Sequence, residues 1–238
     1  RYLGGSIRVI NLEETPVSEL QLVIGNRNYS SWSLRAWLPL RKSGVTFDTV
    51  LLPLDTPEFD ERIADYSPSR RVPVLWHDGQ CIWDSLAIGE YVNEQFAGGA
   101  LWPEDAASRA LGRSMVAEMH SGFNQLRERM PMNCRARHRR IPIDDALQAD
   151  LERMWTLWSD SLACHGDAGG WLLGQYSLAD AMFAPVVIRF QGYDVALPED
   201  IKGYCNHALA DPELKEWLAA AADETWIVAQ DEAGVEPG

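Results

Sequence analysis

The feature that most constrains the fold is the order in which hydrophobic periodicities follow one another. Residues 21–24 form a short apolar strand ending at Gly25, and a polar turn over 26–31 leads into a helical pattern carrying Leu34, Trp37, Leu38 and Leu40. Gly44 stops that helix. Residues 46–51 read as a second strand and 58–65 as a short helix ended by Ser67-Pro68. Two further strands, 72–76 and 81–83, flank a four-residue His77-Asp78-Gly79-Gln80 turn, and 85–96 returns to helical spacing. The order is βαβαββα, with a proline near the start of its third strand.

Past Ala97-Gly98-Gly99 the period of two never returns. Helical patterns cover 105–129, 144–163, 178–191 and 212–223, with no internal repeat. The chain of 238 residues is long enough for one or two domains, and the change of pattern selects two. The expected layout is an N-terminal extension at 1–20, an α/β domain at 21–97, a linker at 98–104 and an all-α C-terminal domain at 105–238. Charge shifts at the same boundary. Residues 21–97 carry 7 basic and 10 acidic side chains, whereas 104–238 carry 12 and 22.

The net charge of −14 argues against nucleic acid or an anionic membrane as the main partner. No apolar run approaches the ~18 residues of a membrane span. The first twenty residues hold acids where a targeting peptide carries its apolar segment, so a cytoplasmic protein is expected. Cys81, Cys134, Cys164 and Cys205 lack CxxC spacing and small-domain density. They read as reduced thiols, and neither they nor the histidines have metal-ligand spacing.

A βαβ unit followed by a hairpin and a helix is the thioredoxin-like arrangement, in which the first helix presents its N-terminus to a reactive sulfur. Here that loop reads Asn28-Tyr29-Ser30-Ser31-Trp32-Ser33-Leu34-Arg35 and holds no cysteine. A protein dithiol is excluded. Several hydroxyls nevertheless sit where helix N–H groups converge, and a hydroxyl there can donate to a thiolate brought by a ligand, with the helix dipole adding favourable potential.

Four ordered motifs carry a resemblance. Ser30-Ser31-Trp32-Ser33-Leu34-Arg35 resembles the SS-C-S-x-R signature of zeta-class glutathione transferases, with Trp32 in place of the cysteine. Arg71-Val72-Pro73-Val74-Leu75 resembles the family's VPxL element, and Trp83-Asp84-Ser85-Leu86-Ala87-Ile88 its xESxAI element with Asp for Glu. Gly174-Gln175-Tyr176-Ser177-Leu178-Ala179-Asp180 resembles the C-terminal G-x-x-[ST]-x-A-D element. Over roughly residues 21–225 the chain is similar to the serine-type cytosolic glutathione transferases, as a zeta-like, maleylacetoacetate isomerase-like bacterial member.

The resemblance implies a glutathione S-transferase with glutathione as co-substrate, a small electrophile as second substrate, and a homodimer. Ser30 aligns with the first serine of the pair and would hold the glutathione thiolate, with Ser31 as the fallback; the plain alternative is a helix N-cap, expected of Ser31 or Ser33 at a helix start. A cis Val72-Pro73 bond would turn the Val72 backbone toward the cysteinyl backbone of an extended peptide; without the other motifs Pro73 reads as an edge-strand proline. Asp84 and Ser85 would take the γ-glutamyl amino group and carboxylate, or simply cap a helix. Arg70 and Arg71 would reach the glycyl carboxylate or lie solvated. Arg35 belongs either to an ion pair or to the site edge.

Met115, Met119 and Phe123, with His120 nearby, recur at helical spacing after the linker, as a core stripe or a wall of the electrophile pocket. Trp32 adds bulk to that pocket. The run Arg135-Ala136-Arg137-His138-Arg139-Arg140 reads as a solvated loop paired with acidic neighbours or as an anion-gathering patch. Ser177 and Asp180 form a capping-box variant with a purely structural role, and 232–238 reads as a frayed tail. Two other functions fit the same motifs: a glutathione-dependent cis–trans isomerase of the maleylacetoacetate type, and a non-catalytic binding protein on the same fold.

Overall fold

A computed structural model describes residues 19–165 and 169–234. Residues 1–18, which hold nearly all of the expected extension, and 235–238 lie outside the described residues. Strand β1 (Leu20–Ile24) leads to α1 (Ser31–Ser43), β2 (Asp48–Leu51) and α2 (Pro57–Tyr66). Strands β3 (Val74–His77) and β4 (Gln80–Trp83) then precede α3 (Ser85–Gln95). The sheet order is β2-β1-β3-β4, with β1 parallel to β2 and antiparallel to β3, and β3 antiparallel to β4. This is the expected α/β thioredoxin-like unit. Its hairpin is tighter than the sequence suggests: His77 pairs with Gln80, and Asp78 and Gly79 alone make the turn at φ 48° and 77°. Both central residues at positive φ give the twist that suits a two-residue hairpin.

The remaining elements are helical: α4 (Ala106–Ser121), α5 (Asn124–Arg129), α6 (Asp145–His165), α7 (Leu178–Gly192), α8 (Glu199–Ala210) and α9 (Pro212–Ala222), then a 3-10 turn at Ala229–Asp231. The long helix expected over 105–129 is two helices. Gly122 leaves the helical conformation and Phe123 adopts the left-handed one at φ 56°, which delivers its ring to the core. Helix α8 was not anticipated, although Ile201, Tyr204, Cys205 and Ala208 are buried at i, i+3, i+4 and i+7.

One hydrophobic core joins both halves. Leu34, Leu38 and Leu40 of α1 and Ile88 of α3 share it with Met182, Phe183 and Val186 of α7 and with Trp217 of α9. Fourteen of the fifteen residues of α7 are buried, so this helix packs inside the protein on all its faces. Its start is fixed by the anticipated capping box, with the Ser177 hydroxyl and the Asp180 carboxylate bonding reciprocally. Asp180 also accepts from Leu172 N–H at 3.1 Å and Tyr204 Oη at 3.1 Å, which ties α7 to the preceding loop and to α8.

Burial pushes the Asp180 carboxyl up to about 6, against the pull of these donors. A folded-state value above the unfolded one means the native protein retains a proton that the unfolded chain releases. Stability from this group is therefore highest below pH 4 and declines as pH rises toward 6. Asp180→Asn has no such group. Its stability deficit relative to wild type is expected to shrink between pH 4 and pH 7 by up to about 3 kcal/mol. Urea unfolding at the two pH values measures this, and a pH-independent deficit would contradict it.

Candidate functional site

The loop before α1 is held by the other half of the chain. Arg27 N–H and Asn28 N–H donate to the Glu224 carboxylate at 2.8 and 3.1 Å. The Asn28 amide donates to Asn133 at 3.0 Å and accepts from Arg135 N–H at 2.9 Å, and Cys134 N–H bonds to Asn28 C=O. Backbone groups of a buried loop must be paired somewhere, and here the C-terminal half supplies the partners. Glu224→Ala leaves two N–H groups orphaned. A loss of about 2–3 kcal/mol and faster amide exchange at Arg27 and Asn28 are expected, and unchanged exchange at both would count against this role.

With the loop fixed, Ser30 becomes the N-cap of α1. Its Oγ accepts from Ser33 N–H at 3.3 Å and lies 2.7 Å from Ser33 Oγ. Ser33 Oγ in turn accepts from Gly25 N–H at 3.0 Å. When Ser33 donates its hydroxyl proton to Ser30, the Ser30 proton is free to point at a ligand, and the chained bonds polarise one another. Ser30 is 6% exposed and Ser31 9%. The Ser31 hydroxyl makes no hydrogen bond among the described residues.

Both serines line a cavity of about 400 Å³ together with Trp32, Arg70, Arg71 and Val72. The structure thus gathers six of the residues singled out in the sequence. Arg70 and Arg71 are exposed at its rim, and the Val72–Pro73 bond is cis. Asp84, Ser85 and His120 lie outside that lining, and Asp84 reaches His120. Asp84 caps α3 at φ 76° by accepting from Leu86 N–H, and its second oxygen is 3.1 Å from His120 Nε2. Buried Ser85 Oγ has no hydrogen-bond partner among the described residues. An orphaned hydroxyl at a helix N-terminus suits a carboxylate.

Met115 and Met119 take the core-stripe alternative that their spacing allows. Both are fully buried in the core, and neither reaches the cavity. Phe123 is likewise core. The Arg135–Arg140 run is also more structured than a solvated loop. Arg135 bonds to Glu224 C=O, to Trp226 C=O at 3.0 Å and to Tyr29 Oη at 3.1 Å, while Arg139 pairs with Glu232 at 2.7 Å. Glu232 therefore belongs to no frayed tail: its carboxylate also accepts from Tyr29 Oη at 2.6 Å and from Asn133 Nδ2 at 2.8 Å.

Sequence reasoning missed the far wall of the cavity, formed by Arg127, Pro131, Met132, Arg189 and Asp231. Arg127 stacks on Trp32 with Cζ 4.7 Å from the ring centroid, and Arg35, buried beneath, stacks at 4.6 Å. His120 meets the same ring edge-on at 5.2 Å. Burial lowers the pKa of Arg35 well below its ordinary value, and Arg127 and Arg189 lower it further. Burial brings Arg189 down to about 10 and raises Asp231 to about 6. An isolated arginine within α7 gives no hint in sequence that it will face a serine 159 positions away.

Residues 29–95 match the family model for the glutathione S-transferase N-terminal domain, and 115–220 match that for the C-terminal domain. Glutathione S-transferase L3 of Arabidopsis thaliana is 28% identical over 188 residues, covering 77% of this chain and 71% of that protein. Maleylacetoacetate isomerase of Rattus norvegicus is 27% identical over 190 residues, covering 77% and 84%. A glutathione transferase homologue from Burkholderia, solved with bound glutathione, superposes with a TM-score of 0.68 at 24% identity, over 86% of this chain and 99% of that one. The chain belongs to the glutathione S-transferase family.

Proposed function

We propose that the chain is a serine-type glutathione transferase in which Ser30 stabilises the glutathione thiolate for attack on a small electrophile. The observation that carries this reading is the Ser30 hydroxyl at the N-terminus of α1, backed by Ser33 and opening on the interdomain cavity. The domain division follows the sequence reading, 21–97 for glutathione and 105–238 for the cavity's far wall. Glutathione-bound relatives of the same fold and the two family models support glutathione as co-substrate.

On this reading the Val72 backbone pairs with the cysteinyl unit, Arg71 takes the glycyl carboxylate, and Ser85 and Asp84 take the γ-glutamyl end. The cavity wall and the orphaned Ser85 hydroxyl support these assignments. The thiol loses its proton to solvent, the sulfur forms a bond to the electrophile, and the leaving group departs with its electron pair. A hydroxyl donating to an anion contributes about 1.5–3 kcal/mol, which lowers a thiol pKa by about 1–2 units. A cytoplasmic homodimer is the accompanying assignment, and among the described residues no helix is long and apolar enough to cross a membrane.

Isomerisation of a cis-enedioate by reversible thiolate addition is a second reading, favoured by the similarity to the rat isomerase. Trp32, where the zeta signature has cysteine, weighs against it. Calorimetric titration with glutathione, followed by turnover of an aromatic halide and of maleylacetone, separates the alternatives. Binding without turnover of either would leave a non-catalytic glutathione-binding protein. For Ser30→Ala, thiolate absorbance of the bound glutathione is expected to titrate about 1–2 pH units higher and kcat/KM to fall about 10- to 100-fold. A loss confined to Ser31→Ala would move the role to Ser31.

A further inference from the structure

We infer that the far wall of the cavity is a carboxylate subsite, built from Arg189 and Arg127, and that the electrophile this enzyme takes is an anionic acid. The inference rests on the transferase reading and specifies its second substrate. Arg189 is 4% exposed and lines the cavity, yet its Nη1 has no hydrogen-bond partner among the described residues. Its Nε is held by Met130 C=O at 2.6 Å, which fixes the guanidinium in place. Arg127 is fixed in the same manner by the C=O groups of Met119 and His120, and its Nε is also unpartnered. No carboxylate of the described residues lies within 4.0 Å of either guanidinium.

Asp231 and Asp150 act on Arg189 and Arg127 only at longer range, and burying arginines without a directly bonded counter-ion is costly, more so when they crowd together. Arg127 and Arg189 do crowd: each depresses the pKa of Arg35, and Arg127 depresses that of Arg189. The cluster persists because the fold anchors it through backbone carbonyls. Stacking on Trp32 explains part of the placement of Arg127 and Arg35, but Arg189 makes no such stack. An anion entering the cavity would neutralise the guanidiniums that line it, and a guanidinium fork matches a planar carboxylate.

Glutathione does not consume this charge. The cavity is lined by Arg70, Arg71, Arg127 and Arg189 against the single carboxylate Asp231. Arg70 and Arg71 stand on the sheet side and suffice for a glycyl carboxylate, which leaves the pair on the helical side for the second substrate. Trp32 lines the same cavity.

The test compares para-chloro-meta-nitrobenzoate with its neutral amide. In both, the sulfur–carbon bond forms, the carbon–chlorine bond breaks and chloride leaves with the electron pair, without net oxidation or reduction. Each kcat/KM is divided by the uncatalysed rate with glutathione. Wild type is expected to favour the acid by about tenfold or more, and Arg189→Gln and Arg127→Gln each to reduce that preference about tenfold. Should Arg189→Gln fail to fold, Arg127→Gln and calorimetric binding of unreactive meta-nitrobenzoate carry the test. No preference for the acid in wild type, or a preference unchanged in the variants, overturns the subsite. Glutathione titration is read separately, so failure there rejects the transferase reading while meta-nitrobenzoate binding still reports on the arginines.

Discussion

Helix α1 packs against both α3 of the sheet half and α7 of the helical half, and nine of its thirteen residues are buried. A helix held from two domains cannot shift without opening a shared core, and a well-packed interior resists such movement. Its N-terminus is therefore a fixed point in the molecule. The loop entering it is fixed as well, by Glu224 and by the 133–135 segment. Ser30 gains its position from this double anchoring, and its hydrogen-bonding partner Ser33 comes from the next turn of the same helix.

The electrostatics of the cavity depend on the same packing. Arg35 enters the core on the buried side of α1, where its Nε finds Met182 C=O of α7 at 2.9 Å. Arg189 lies two turns further along α7 and Arg127 comes from α5, so three guanidiniums converge behind and beside Trp32. Polar groups are satisfied along their backbone-facing edges and left open elsewhere. A stability-optimised core would replace such a cluster with apolar side chains. Arg127 and Arg189 of this cluster line the same cavity as Ser30 and Ser31.

Much of the fold was legible because each element carries its own signal. Period-two runs marked four strands, Gly44 marked the left-handed end of α1, and Ser177 with Asp180 marked the start of α7 through a local capping box. The misreadings also have local causes. Gly122-Phe123 interrupts a pattern that otherwise continues for another turn, and the Asp78-Gly79 turn is shorter than the stretch of polar residues around it. Helix α8 had the right spacing but few large apolar residues to announce it. The site was legible only on its sheet side, where the serine pair, Arg71 and Val72 sit within short motifs.

The amino-acid sequence by itself determined the βαβαββα order, the helical second half, the absence of a cysteine at the first helix and the hydroxyls that stand there instead. These are local properties, set by side-chain periodicity and by capping chemistry within a few residues. Only the tertiary structure decided that Met115 and Met119 belong to the core and that Glu232 is bound by Tyr29, Asn133 and Arg139. It alone brought Arg127 and Arg189 to the cavity that Ser30 lines. Such placements depend on how helices distant in sequence pack around a common core, and no spacing along the chain encodes which of their faces will meet.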